Sequence, residues 1–185
     1  MLYDLVGRRR AGGHSHAVAQ RRRAILSVTY FFLLKFLHVI GATVILGTGA
    51  GIAFFMLMAH LSRDVAFIAR TASLAVLADF IFTATAVVAQ PVTGYLLVRE
   101  MGMSLAEAWI VASLVLYAIA GIFWLPVVWM QIKMRDIAAA AVSAGAPLPA
   151  TYHRLFRLWF AFGFPGFGSV LLIVWLMIAK PMSFS

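Results

Sequence analysis

Four long apolar stretches divide this chain, each longer than the roughly 20 residues that a helix needs to cross a bilayer. They run from about Val28 to His60, Val65 to Val98, Leu105 to Asp136 and Tyr152 to Ala179. Polar residues collect between them, at Leu61-Ser62-Arg63-Asp64, at Arg99-Glu100-Met101-Gly102-Met103, and in a stretch over residues 137–150 that starts helical and ends rich in Pro and Gly. The pattern predicts an all-α fold, a polytopic membrane protein built as a four-transmembrane-helix bundle. Ser104-Leu105-Ala106-Glu107 has the spacing of a capping box for the third helix, and Thr151 is placed to cap the fourth. Pro91 and Pro126 should kink the second and third helices. Gly163, Pro165, Gly166 and Gly168 interrupt the fourth and read first as a packing and kink device.

The polar positions inside the apolar stretches carry the chemical interest. His38 sits about 15 Å along the first helix at 1.5 Å per residue. An ionisable group at that depth is costly and usually faces a bundle interior, which makes it a candidate site. Lys35, one turn earlier, can snorkel to water. His38, Gly41, Ile45 and Thr48 share a face, and the Gly and Thr content predicts close helix contact there. In the second helix Asp79, Thr83 and Gln90 fall on one face. Asp79 reads either as a proton-carrying or cofactor-side carboxylate or as a structural partner of a tryptophan or threonine. Matching antiparallel depths puts Gln90, Tyr117 or Ser113, and Ser169 level with His38. Tyr117 and Trp124 share a face and serve as core aromatics or as part of a pocket, while Trp109 and Trp129 suit the two interfaces. A neutral imidazole can ligate haem iron, and helix bundles build such pockets. A lone buried histidine can equally be a hydrogen-bonded structural residue.

Composition narrows the class. Hydrophobic residues make up 64% of the 185 and charged residues 11%, about half the charged share of a soluble domain. The absence of cysteine removes disulfides, thiolate metal sites and covalent c-type haem attachment. The net charge of +9 is uneven: residues 1–27 hold six arginines against one aspartate, a net of +5, leaving +4 for the apolar remainder. No folded basic face is left to bind nucleic acid. Residues 1–27 are expected to be a disordered basic extension or a stretch outside the natural protein, and 28–181 the membrane domain. Arg63, Arg70, Lys133, Arg135, Arg154 and Arg157 flank the first and third connections, so the positive-inside bias puts those connections in the cytoplasm and both chain ends opposite. The arginines of residues 1–27 argue the reverse. His60 and His153 fall at one membrane face, where a two-histidine metal site lacks any local motif. His14 and His16 lie in the basic extension.

Several collinear motifs resemble a bacterial family of predicted integral membrane proteins known as domain of unknown function 2269. They are Leu34-Lys35-Phe36-Leu37-His38-Val39-Ile40-Gly41, Gly47-Thr48-Gly49-Ala50-Gly51, Ala78-Asp79-Phe80, Gln90-Pro91-Val92-Thr93-Gly94, Trp124-Leu125-Pro126-Val127-Val128-Trp129-Met130-Gln131 and Phe156-Arg157-Leu158-Trp159-Phe160. The first helix is also similar, through its Lys-Phe-Leu-His-Val run, to the small membrane protoporphyrinogen oxidases, which are associated with b-type haem. That likeness implies haem b and carries over one residue, His38, as axial ligand to the iron; the depth and face reading adds Gln90, Asp79 and Tyr117 as residues that would tune the pocket or move protons. The later membrane lysine of those enzymes has no match, since Lys133 and Lys180 lie at helix ends. The expected function is thus a b-type haem-binding redox component, oxidase-like or electron-carrying. The alternative is a non-enzymatic protein such as a transport accessory or a structural partner of a larger complex. The lipid bilayer is the expected partner, with a second copy or another membrane protein beside it. The bacterial inner membrane is the expected location.

Overall fold

Asp64 settles where the first span ends and the second begins. Its carboxylate accepts from the backbone N–H groups of Ala66 and Phe67, at 2.9 and 3.0 Å, and so caps a new helix. The computed structural model describes the backbone of residues 2–180 and the side chains from Gln20 onward, Ala24 excepted. Its helices are α1 (Leu2–Ser62), α2 (Val65–Ala78), a π-helical turn (Asp79–Thr83), α3 (Ala84–Glu100), α4 (Ala108–Ser143) and α5 (Ala150–Ala179). Four helices are long and apolar enough to cross a membrane: Gln20–Ser62, the continuous Val65–Glu100, Ala108–Ser143 and Ala150–Ala179. The described residues are all-α, as the hydropathy pattern predicts. The backbone of α1 continues without a break at Val28, so the boundary there is one of composition and charge.

Local starts and stops differ from the expected ones. The Ser104 hydroxyl accepts from the Ala106 N–H at 3.1 Å and stays in the turn, while α4 begins at Ala108 after Glu107, without a side-chain cap. A capping box therefore does not form. Likewise α5 begins after Pro149, which puts Thr151 inside the helix instead of at its cap. Pro149 supplies a preset φ just before the first turn. Gly145, with φ of +59°, turns the chain after α4. The glycine-rich middle of α5 stays helical through Pro165.

The helices pack unequally. α4 lies along α5, and α2 lies against α4; after the π turn the same span leaves α4, and α3 runs along α1. α1 and α5 meet only slightly. The densest core lies near the α1–α2 and α4–α5 connections, where Met56, Ile68, Met134, Ala138, Tyr152 and Trp159 are buried together. A small second core, Val98, Trp109 and Ile110, closes the other end. Large apolar side chains such as Phe36, Leu74, Ile122, Leu125, Trp175 and Ile178 point outward, where lipid would meet them.

The π turn shows in its own hydrogen bond and in a local repair. The Ala84 N–H reaches back to the Asp79 carbonyl, one residue further than an α-helix allows, and the Thr85 hydroxyl lies 2.6 and 3.0 Å from the carbonyls of Ile81 and Phe82. Pro91 is repaired in the same way. Having no N–H, it leaves the Val87 carbonyl without its helical donor, and the Tyr117 hydroxyl from α4 donates to that carbonyl.

Candidate functional site

Two polar spots lie within the spans. The first surrounds His38, between α1 and α3. As depth matching predicts, Gln90 is level with it: the Gln90 amide donates to the His38 carbonyl at 2.7 Å. The imidazole Nδ1 is 2.8 Å from Thr93 Oγ1, whose own hydroxyl lies 2.8 Å from the Ala89 carbonyl. The same hydroxyl is 3.2 Å from the Gln90 carbonyl, so Thr93 ties the imidazole to the α3 backbone. Close packing completes the arrangement. A side chain at Gly41 would collide with the Gln90 amide, and one at Gly94 would come within 3.2 Å of the imidazole Cε1. The space beside Gly41 is taken by Gln90, which leaves no room for a flat macrocycle against that face, and the residues present do not fit a haem here. Tyr117, Ser113 and Ser169 do not join His38; their hydroxyls go to the carbonyls of Val87, Trp109 and Pro165.

The second spot surrounds Asp79, at a different depth along the same span. Gln90 serves the α1 contact, whereas Asp79 and Thr83, held by the π turn, line a cavity of about 310 Å³ with Tyr117, Trp124, Gln131 and Trp159. Asp79, Thr83 and Trp159 are each only 4% exposed and Gln131 2%, so bulk water does not satisfy them. Thr83, Trp124 and Gln131 turn toward the Asp79 carboxyl. Thr83 Oγ1 and Trp124 Nε1 stop short of a full hydrogen bond, and with Gln131 Oε1 and Trp159 Nε1 they have no partner among the described residues. Such orphaned groups are rare in folded proteins and call for an explanation. The rest of the wall is apolar and aromatic, including Phe123, Phe160 and Phe162. On one side the cavity reaches the outer surface at Ala50 and Phe164, both exposed.

The glycines divide along the same line. Gly41 and Gly94 are in close contact, but Gly47, Gly51, Gly121 and Gly163 have nothing within 4 Å of where a Cβ would stand. The close contact expected from the glycine content of the first helix is thus confined to Gly41, with Gly49 in ordinary contact with Phe167. Gly49, Gly121 and Gly163 instead widen the cavity.

At the connection end His60 stacks on Phe156 at 3.7 Å and meets His153 at 5.6 Å between ring centres. Among the described residues no three His, Cys, Asp or Glu side chains come together as a metal site. The side chains of His14 and His16 lie outside the described ones.

Residues 32–181 match the family described as predicted integral membrane protein (DUF2269). The chain belongs to this family. No curated protein and no solved structure matches it. The likeness of the first helix to protoporphyrinogen oxidases rests on the quoted residues alone. Gln131 and Trp159, which the family resemblance includes but the residue reading left without a role, are the cavity residues that sequence reasoning missed. Gln131 could have been found as the one side-chain amide in the third span.

Proposed function

We propose that this DUF2269 protein is a non-enzymatic membrane protein that takes a lipophilic small molecule from the bilayer into the Asp79 cavity, as a transport accessory would. The observation that carries this reading is the combination of an apolar cavity open toward lipid with four orphaned polar atoms in its wall. Ligand sites have this form: a mainly apolar hollow of a few hundred Å³ with a small number of converging polar groups. A membrane-embedded carboxyl kept at such a wall is a functional candidate in its own right, and π-helical turns gather at functional sites. One chain builds the whole cavity, so the reading needs no second copy and no protein partner.

The redox reading has one observation in its favour. The His38 Nδ1 is held by Thr93, and a partner on one ring nitrogen is the arrangement that orients the other as a metal ligand. Against it stands the Gln90 amide over Gly41. Protein purified in native lipid from haem-replete cells is expected to show no Soret band, and mass spectrometry of the same sample to release a lipophilic molecule that is absent when Gly121→Leu fills the cavity. A Soret band lost in His38→Ala would overturn the proposal in favour of a b-type haem protein. The family is read as a resident of the bacterial cytoplasmic membrane, with the basic α1–α2 and α4–α5 connections inside. A reporter fused after Ser185 should be active only outside the cytoplasm.

A further inference from the structure

The chemistry of the orphaned atoms says more than that something apolar binds. Two indole N–H groups, Trp124 and Trp159, can only donate. Gln131 Oε1 can only accept, as can the Asp79 carboxyl when ionised, and the Thr83 hydroxyl does either. Each kind of head group can be compared with this set. A phosphate or carboxylate head would meet Asp79, the one acidic side chain in the wall, with no cationic side chain beside it. An ammonium would pair with Asp79 but leave both indole N–H groups unsatisfied. A plain hydrocarbon would leave all of them unsatisfied. A neutral ring bearing carbonyl oxygens meets the indole donors, and its reduced form, bearing hydroxyls, meets Gln131 and Asp79 as well. Flat rings are also what aromatic walls such as Phe123 and Phe162 accommodate, in offset or edge-on contact.

Resting on the cavity reading above, we propose that the ligand is a lipid-soluble quinone or its quinol, with the ring oxygens among Trp124, Trp159, Thr83 and Gln131 and the tail leaving past Phe164 into lipid. The orientation follows from the wall. Its polar atoms are gathered on the π turn, α4 and the inner side of α5, while Phe164 is 65% exposed at the lipid side. Gly163, with nothing within 4 Å, leaves that exit clear. The proposal concerns binding, and it assigns this chain no electron transfer.

The test uses the full chain in nanodiscs of quinone-free phospholipid, titrated with para-benzoquinone carrying a decyl tail. Quinones quench indole fluorescence, so Trp124 and Trp159 report occupancy directly. Saturable quenching is expected, with affinity falling about tenfold, the equivalent of roughly 1.4 kcal/mol, in Gln131→Leu and in Thr83→Val. Gly121→Leu should abolish it. Both polar variants keep all indoles, so a change in affinity is not a change in probe, and either one suffices if the other fails to fold. Decanol and decylammonium serve as competitors. Equal competition by decanol, with Gln131→Leu and Thr83→Val unaffected, would overturn the quinone assignment and leave the cavity reading standing. Displacement by decylammonium at lower concentration than the quinone would overturn it in favour of a cationic amphiphile. No saturable binding of any of the three, with Gly121→Leu indistinguishable from wild type, would remove both readings together.

Discussion

His38 and Asp79 are both polar residues deep in an apolar span, yet their surroundings differ in kind. Around His38 the imidazole Nδ1 and the backbone carbonyl have partners, and Gln90 and Gly94 close the space. Around Asp79 four polar atoms have no partner among the described residues, and a cavity adjoins them. A satisfied, close-packed polar group holds helices together, because lipid offers it nothing better when the helices part. An unsatisfied group beside a cavity is held in a state that a ligand can improve. Depth in the membrane, which made His38 the more conspicuous residue, does not separate these cases. Satisfaction does.

The largest effect expected from breaking the comparison is at His38. His38→Ala removes the Thr93 bond and the ring packed on Gly94, and should lower stability by about 2–3 kcal/mol, combining one interhelical hydrogen bond with a packing void. Reversible unfolding in mixed micelles would measure this. Ligand affinity of the folded fraction should be unchanged. A variant as stable as wild type would show that the His38 contacts are not a clamp.

Tyr117→Phe sharpens the comparison, because Tyr117 lines the cavity yet spends its hydroxyl on the Val87 carbonyl. Its loss should cost about 1–2 kcal/mol through an unsatisfied carbonyl next to Pro91. Binding should hold. If Tyr117→Phe instead weakens binding while stability is kept, Tyr117 belongs with the ligand group. Asp79→Asn should be milder for folding, changing stability by less than about 1 kcal/mol, since the amide keeps an acceptor oxygen for the Thr83, Trp124 and Gln131 side chains that turn toward it. A larger loss in the same unfolding measurement would point to a charged partner of Asp79.

Much of this architecture is readable from the chain, and the limits are physical. Long apolar runs announce the four spans, and equal depth brings Gln90 to His38. Asp79 announces itself as a carboxyl where lipid should be. The π turn is silent, because Asp79-Phe80-Ile81-Phe82-Thr83 is ordinary helical sequence. Its effect is tertiary: it lies where the second span gives up most of its contact with α4 while staying against α1. Glycine content is equally ambiguous, for the same residue permits either close approach or an open wall. Only the neighbours decide which.

That ambiguity supplies the smallest and most discriminating prediction. Replacing glycine by alanine inside a helix gains about 0.5–1 kcal/mol when nothing obstructs the new methyl group. Gly121 and Gly163 meet that condition, so Gly121→Ala and Gly163→Ala should each be slightly more stable than wild type. At Gly41 the methyl would displace the Gln90 amide, which cannot swing away without giving up the His38 carbonyl. An interhelical bond of this kind is worth about 0.6 kcal/mol on average and up to about 1.7, so the helical gain is cancelled or reversed. Gly41→Ala should therefore be less stable than Gly121→Ala by about 1 kcal/mol. Binding should run the other way, since the methyl at 121 enters the cavity and weakens the ligand while the one at 41 leaves it alone. Equal stabilities for the two variants would mean that the His38 region is no more tightly packed than the Asp79 region, and the distinction between clamp and site would fail.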